Sequence, residues 1–384
     1  MFISEGHLPQ VLPPEAYTSQ KQLDLELKTV FDSVWQCVGA KNEFPRDGDF
    51  KTVQLLEHEI IIWRRGSRFQ TFLNVCAHRY CTVTSESCGN APERLRCQYH
   101  GWEFDETGNT RKIPDSPCFK PLKPGVLGLQ PFRTETCGQL IFVTLSESTP
   151  SLRDFLGDTF DVIAELFHQD LFLMAATVRD VNANWKVLLE NSLESYHVEE
   201  CHPSTLGPLP RPERCEHVLH EAWCSLEVCY QGDRSLPILL DDFAHAWIGE
   251  KPKHRWEQIN VFPNLIFIRL SMATWVEVML PVAPGRSQSL GLAFGNAGRR
   301  GRLHGAVTRV FLKRYLINMF NQLIEEDRRA IEGVQRGLEC QQRPPGGVLS
   351  AREERVFHFQ EYIVSKTGCD RWDAHSASAE LRAA

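Results

Sequence analysis

The sequence predicts an α+β protein with a small all-β domain inserted near its N-terminus. Three observations carry this. From about residue 45 to 150 the chain is a series of short β-like runs broken by Gly, Pro and Asn. From 217 to 295 a second strand-rich stretch has connections too short for crossover helices, so its strands are expected to pair antiparallel. A long helical pattern then covers about 303–339 and is broken off by Pro344-Pro345-Gly346-Gly347.

Taken in order, Ser19-Gln20-Lys21-Gln22 forms a Ser-x-x-Gln capping box. Leu23, Leu27, Phe31, Val34 and Cys37 follow at helical spacing, which predicts one amphipathic helix over about 19–38. Residues 52–56, 60–64, 70–75 and 140–145 read as strands, and helical texture returns at 151–166 and 184–200. Strands are expected at 222–230, 258–270, 274–280 and 289–294. Ser350-Ala351-Arg352-Glu353 is a second capping box, opening a helix to about Val364. The expected organisation is a helical segment (1–40) packed on the larger domain, a β domain (41–150), the larger domain (151–368) and a frayed tail (369–384).

Composition narrows the function. The 384 residues suffice for two or three domains. With 42 Lys+Arg against 49 Asp+Glu the net charge is -7, which argues against a nucleic-acid binder. No basic cluster suits an anionic membrane surface. Apolar runs such as Ile60-Ile61-Ile62-Trp63 fall far short of the roughly 18 residues of a membrane span. Met1-Phe2-Ile3-Ser4-Glu5-Gly6 lacks the features of a signal or transit peptide, and 13 cysteines without regular spacing do not make a secreted disulfide framework. A cytoplasmic protein is expected, its cysteines free thiols or metal ligands.

Two constellations carry chemistry. Cys76-Ala77-His78 and Cys97-Gln98-Tyr99-His100 lie in the β domain with 18 residues between them. Two thiolates and two imidazoles from tight loops fit a structural zinc site. They also fit a [2Fe–2S] cluster of Rieske type, one iron held by two Cys and the other by two His. Gly101, after His100, would let the backbone approach a cluster closely, and the flanking Arg79 and Trp102 bear on the resemblance described below.

The second set begins at Glu190-Asn191-Ser192-Leu193-Glu194-Ser195-Tyr196-His197 and ends at His202-Pro203. Glu194 and His197, three apart, would share a helix face. His202 is out of phase with His197, but Pro203 pushes it out of the α region and lets the chain bring it round. Two imidazoles and a carboxylate make the facial set of non-haem Fe(II). Asp327 is the candidate carboxylate. It falls in a stripe of Ile317, Phe320, Ile324, Ile331, Val334 and Leu338, while Glu325 and Glu326 are rotated off it by roughly 200° and 100°. A carboxylate on a core face is costly unless it is paired or bound to a metal.

Other signals are set aside. Gly295-x-x-Gly298-x-x-Gly301, with Arg299 and Arg300, has the wrong spacing for a dinucleotide fingerprint and reads as a turn. Cys215, His217, His220 and Cys224 read as chance clustering, Cys81 and Cys88 as bystanders. Trp247, Phe262, Phe267 and Trp275 are expected in the core. No nicotinamide or flavin fold is legible, so electrons must come from another protein.

Cys-x-His, then Cys-x-x-His-Gly-Trp, together with Asn184-Trp185-Lys186, Glu194-x-x-His197, His202 and a late Asp327, resembles the large (α) subunits of Rieske non-haem iron oxygenases over about residues 8–365. Tyr80 stands where that family usually has Gly or another small residue, and is read as a local packing change. Glu at 194, where Asp is commoner, resembles the carnitine monooxygenase and glycine betaine branch.

The resemblance implies a Rieske domain beside a helix-grip (START-like) catalytic domain. It implies a [2Fe–2S] cluster on Cys76, His78, Cys97 and His100, and mononuclear Fe(II) on His197, His202 and Asp327. Glu194 would be an electron-relay bridge to a neighbouring subunit's cluster, hence a homotrimer. O2 would be the cosubstrate, with NAD(P)H electrons arriving through a flavin/iron–sulfur reductase or ferredoxin. The expected reaction is monooxygenation (hydroxylation or N-demethylation) of a small polar or quaternary ammonium compound. The alternatives are cis-dihydroxylation of an aromatic ring and, from another class, a Rieske electron carrier or a zinc-bearing binding module.

Overall fold

The computed structural model describes residues 2–372 apart from 204, 207–209, 231–235, 271, 299–301 and 345. The expectations for Arg299, Arg300, Gly301, Pro345 and the tail beyond 372 lie outside the described residues. The chain divides into two compact units, one of Met1–Asp32 with Glu165–Ala384, the other of Ser33–Ala164.

The N-terminal helix is shorter than its apolar spacing predicts. The Ser19 side chain accepts from the Gln22 N–H and opens α1 (Gln20–Thr29), but the chain then leaves the helix. Gln36–Ala40 is a strand, β1, buried at every position. A strand buried on both faces has no period of its own, so spacing alone cannot tell it from a helical turn.

In the smaller unit β1 is the edge of a seven-stranded antiparallel sheet. The others are β2 (Asp49–Leu55), β3 (His58–Arg65), β4 (Arg68–Leu73), β5 (Cys88–Asn90), β6 (Pro131–Cys137) and β7 (Leu140–Thr144), in the order β1-β7-β6-β4-β3-β2-β5. Three short strands between residues 95 and 112 form a second small sheet. Ile61, Trp63, Phe72, Trp102 and Phe104 share one core with Cys76 and Cys97, so the backs of both cysteine loops are fixed by packing.

The larger unit is built on a second seven-stranded antiparallel sheet. Its strands are β8 (Phe172–Val181), β9 (Cys215–His220), β10 (Trp223–Cys229), β11 (Arg255–Val261), β12 (Leu265–Leu270), β13 (Ala273–Ala283) and β14 (Arg286–Gly295). The order is β8-β14-β13-β12-β11-β10-β9, every pair antiparallel, including β10 and β11, whose connection is long enough to hold a helix. Helix α2 (Trp185–Ser192) and the single turn α3 (Val198–Cys201) replace the continuous helix expected over 184–200. Helix α4 (Leu236–Ile248), which carries Trp247, interrupts the strand-rich stretch and was not legible there. The long helix α5 (Arg302–Glu339) lays Leu312, Leu316 and Phe320 against Met174 and Ala273 of the sheet. The buried stripe continues through Ile331 to Gln335, leaving Val334, expected inside, 52% exposed. Helix α6 (Glu354–Thr367) closes the unit.

Asn184-Trp185-Lys186 is a structural anchor. Asn184 accepts from the Lys186 N–H at the start of α2 and donates to the Tyr17 carbonyl at 3.0 Å. The Lys186 ammonium and Trp185 indole both donate to Glu26 on α1, at 2.7 and 2.8 Å, with Lys186 and Glu26 wholly buried. Next to them Glu190 accepts from Tyr17 Oη at 2.6 Å and from Gln360 Nε2 at 3.0 Å. Burial pushes the Glu190 carboxyl up to about 7 against the opposing pull of Tyr17 and Gln360.

A raised acid favours folding while it is protonated. Stability from this group is therefore intact below the ordinary carboxylate pKa and falls as pH rises to about 7. Glu190→Gln is expected to flatten that dependence and to raise stability at pH 8 by on the order of 2 kcal/mol. Denaturant melts of both proteins at pH 5 and pH 8 read this directly.

Candidate metal centres

Each cysteine–histidine loop is a five-residue turn closed in the same way. The Tyr80 N–H donates to the Cys76 carbonyl and the Gly101 N–H to the Cys97 carbonyl, both at 3.0 Å. Both turns end on a left-handed residue, Tyr80 at φ 59° and Gly101 at φ 70°. Gly101 suits that conformation, whereas Tyr80 bears its steric cost. The packing reading of Tyr80 is corrected here, because its side chain is 82% exposed.

The turns bring Cys76 beside Cys97 and set the His78 and His100 rings 4.7 Å apart. His78 stacks flat on Trp102, centroids 4.9 Å and planes 2° apart, which fixes its ring. Burial pushes the Cys76 thiol up to about 11, and a metal or cluster is what converts such a buried dithiol into thiolate ligands. Two sulfurs on one side and two imidazoles on the other form a donor set that fits a Rieske cluster.

In the larger unit Glu194 lies in the break between α2 and α3, so it meets His197 across a turn and not along a helix face. Its carboxylate accepts from the Tyr196 and His197 backbone N–H groups and is hydrogen-bonded to His197 Nδ1. His202, before Pro203, takes φ -122° and ψ 41° and swings off the end of α3, as expected. Asp327 meets both imidazoles, 3.4 Å from His197 Nε2 and 2.9 Å from His202 Nε2. Among the described residues His197, His202 and Asp327 are the one group of three whose ligand atoms lie within 4.8 Å of one another. Cys215, His217, His220 and Cys224 form no such group; His217 Nδ1 instead pairs with Glu354 at 2.8 Å.

Two neighbours of this set were missed. Glu326, rotated off the apolar stripe, is hydrogen-bonded to His202 Nδ1 at 2.8 Å and is steadied by the Thr205 hydroxyl and the Gln322 amide. Asn191 Nδ2 donates to Asp327 Oδ1 at 2.9 Å. The pattern is repeated: Glu194 holds one Nδ1 and Glu326 the other, which leaves both Nε2 atoms directed at Asp327. The signal for Glu326 was its rotation, which turns it towards whatever lies beside the stripe.

The electrostatics fit a cation. Burial opposes a charged His197, yet Asp327 and Glu194 outweigh it and lift the imidazole to about 9. Burial also opposes the Asp327 charge, but His197 and His202 hold its carboxyl at about 2. Three carboxylates around two imidazoles favour positive charge at their centre, and two nitrogens with one oxygen suit a divalent iron. Glu326→Gln is expected to weaken iron retention at this set about 10- to 100-fold while leaving the folded protein intact. Iron released during dialysis against a mild chelator measures it.

The set opens on a cavity of about 250 Å³ whose wall includes Trp256, Trp275, Phe320, Arg179 and Glu277. Trp275, expected in the core, is on this wall, whereas Phe262 and Phe267 are buried as expected. Trp247 is 45% exposed on α4 and donates to Thr308.

A sulfur–imidazole set and an imidazole–carboxylate set on one chain fit a protein with two metal centres. The chain belongs to the ring hydroxylating alpha subunit family, whose catalytic-domain model matches residues 169–368, and a Rieske [2Fe–2S] domain model matches residues 34–130. That family carries a Rieske cluster and a mononuclear iron. Over 200 residues the chain is 31% identical to the glycine betaine monooxygenase oxygenase subunit of Chromohalobacter salexigens, covering 52% of this chain and 44% of the relative. It is 26% identical to the 2-aminobenzenesulfonate 2,3-dioxygenase α subunit of Alcaligenes sp., with 76% of each chain covered. The chain thus spans less than half the length of the glycine betaine subunit it matches. The quaternary ammonium Rieske monooxygenase CntA, solved with L-carnitine, shares the fold with a TM-score of 0.76 at 20% identity, over 93% of this chain and 95% of that one.

Proposed function

We propose that this chain is the terminal oxygenase component of a Rieske-type system. The observation that carries the reading is the convergence of His197, His202 and Asp327 at the mouth of an aromatic-walled cavity, on a chain that also pairs Cys76 and Cys97 with His78 and His100. Cys76 and Cys97 would hold one iron of the [2Fe–2S] cluster and His78 and His100 the other. His197, His202 and Asp327 would hold the mononuclear Fe(II), which supplies a redox-active centre for the reduction of O2.

The protein's own part is positional. Glu194 and Glu326 fix the imidazole tautomers, Asn191 orients Asp327, and the cavity gives the reacting face a largely apolar wall. Glu194 is read as the electron bridge to a neighbouring subunit's cluster in a homotrimer. A flavin/iron–sulfur reductase or ferredoxin would bring NAD(P)H electrons, in the cytoplasm; among the described residues no helix is long and apolar enough to cross a membrane.

The favoured reaction is monooxygenation of a small polar or quaternary ammonium compound. Trp256, Trp275 and Phe320 support it, since aromatic faces attract cations, as do the substrates named for the glycine betaine relative and CntA. Dihydroxylation of an aromatic acid is the second reading, favoured by Arg179 in the same cavity and by the aminobenzenesulfonate relative. Metal analysis of anaerobically purified protein tests the proposal. Three irons and two sulfides per chain, with reductase- and substrate-dependent O2 uptake, are expected; a colourless, zinc-bearing protein would overturn it.

A further inference from the structure

Glu277 has no part in that reading, and its position is unusual. Ile266, Glu277, Gly291 and Thr177 are register partners across β12, β13, β14 and β8, so they share one face of the sheet. That face is the cavity wall, and all four residues line it. Two residues along β13, Trp275 lies on the same face, edge-on to Trp256 at 5.5 Å and to Phe320 at 4.8 Å. The neighbour of Glu277 on β14 is Gly291, where a Cβ would stand 3.2 Å from Thr177 Oγ1 and 3.7 Å from Arg179 Nη1, so the missing side chain lets these polar groups approach the strand beside the carboxylate.

Glu277 accepts from the Ser289 hydroxyl through Oε1, and among the described residues no cationic nitrogen comes within the 4 Å of an ion pair. Burial pushes its pKa up; Ser289 and Arg179 oppose that, and the charge of Asp327 adds to it. A carboxylate so placed has a positive neighbour in Arg179 but no close ion pair, and the side from which a pairing partner can come is the cavity.

We propose that Glu277 is the substrate-recognition carboxylate of this cavity, and that it selects an ammonium group bearing at least one N–H over its quaternary homologue. A carboxylate gains a charge-assisted hydrogen bond only from an N–H donor. The aromatic trio takes the alkyl groups and the charge of either ion. A quaternary ion therefore desolvates Glu277 and meets it with Coulomb attraction alone, without the hydrogen bond, and that difference sets the preference. The inference rests on the oxygenase reading for what becomes of the bound molecule, and narrows its substrate to a secondary or tertiary amine.

Calorimetric titration of the metal-loaded protein, anaerobic and without reductant, tests it with protonated N,N-dimethylbutylamine and with butyltrimethylammonium. The amine is expected to bind at least tenfold tighter. Glu277→Gln should cost the amine at least tenfold and shrink the preference below threefold, with the melting temperature and cluster spectrum unchanged. Glu277→Asp, with a shorter reach, should weaken the amine a few-fold and leave the quaternary ion unaffected; it decides the matter if Glu277→Gln does not fold. Equal binding, tighter quaternary binding, no binding of either ion, or a preference that survives Glu277→Gln would overturn the assignment. Because titration needs no turnover, failure of the oxygenase reading shows separately, as missing iron or missing O2 uptake.

Discussion

His197→Ala is expected to abolish substrate-dependent O2 uptake, by at least about 10³-fold, while the visible spectrum of the cluster is unchanged. His197 supplies one of three ligand atoms in a set spanning 4.8 Å, so its loss leaves only His202 and Asp327. The loss should be local. Glu194 keeps its backbone partners at residues 196 and 197, so the turn that carries the site retains its shape. The cysteine and histidine loops belong to the other compact unit and have their own core. Iron should therefore fall from three to two per chain with sulfide constant. Retained activity would remove His197 from the centre.

Glu194→Gln is expected to separate iron binding from electron delivery. The amide is isosteric and its one oxygen can still accept from His197 Nδ1, so the metal should stay, although the backbone N–H groups of residues 196 and 197 then lose the second carboxylate oxygen. The charge is lost. If Glu194 joins an iron ligand to a neighbour's cluster, reoxidation of the reduced cluster by O2 and substrate should slow by at least about 100-fold, with iron content equal to wild type. Stopped-flow absorbance of the pre-reduced protein reads that rate. Glu194→Asp, which keeps the charge and shortens the reach, should recover part of it; a residue needed only to hold the turn would show wild-type reoxidation in both variants.

Much of this was legible before the fold was seen, for identifiable reasons. Soft ligands at tight spacing, a histidine before proline and a carboxylate within an apolar stripe are all local signals, and Cys76, His202 and Asp327 carry them. Signals that depend on pairing were not legible. Gln36–Ala40 looks helical until its partner β7 is known, because both of its faces are buried. Glu326 and Asn191 matter through contacts more than 120 residues away in sequence. Glu277 looks like any outward strand residue until the register places it opposite a glycine on the cavity wall.

The larger unit is assembled from both ends of the chain, and its buried Lys186–Glu26 pair joins residues 160 apart in sequence. On the ribosome, residues 1–32 therefore emerge long before the segment that completes their fold, and Glu26 stays in water until Lys186 arrives. The intervening module is contiguous and is free to fold first. Birth order thus runs inside out: the inserted module can mature while the unit that flanks it in sequence is still being translated.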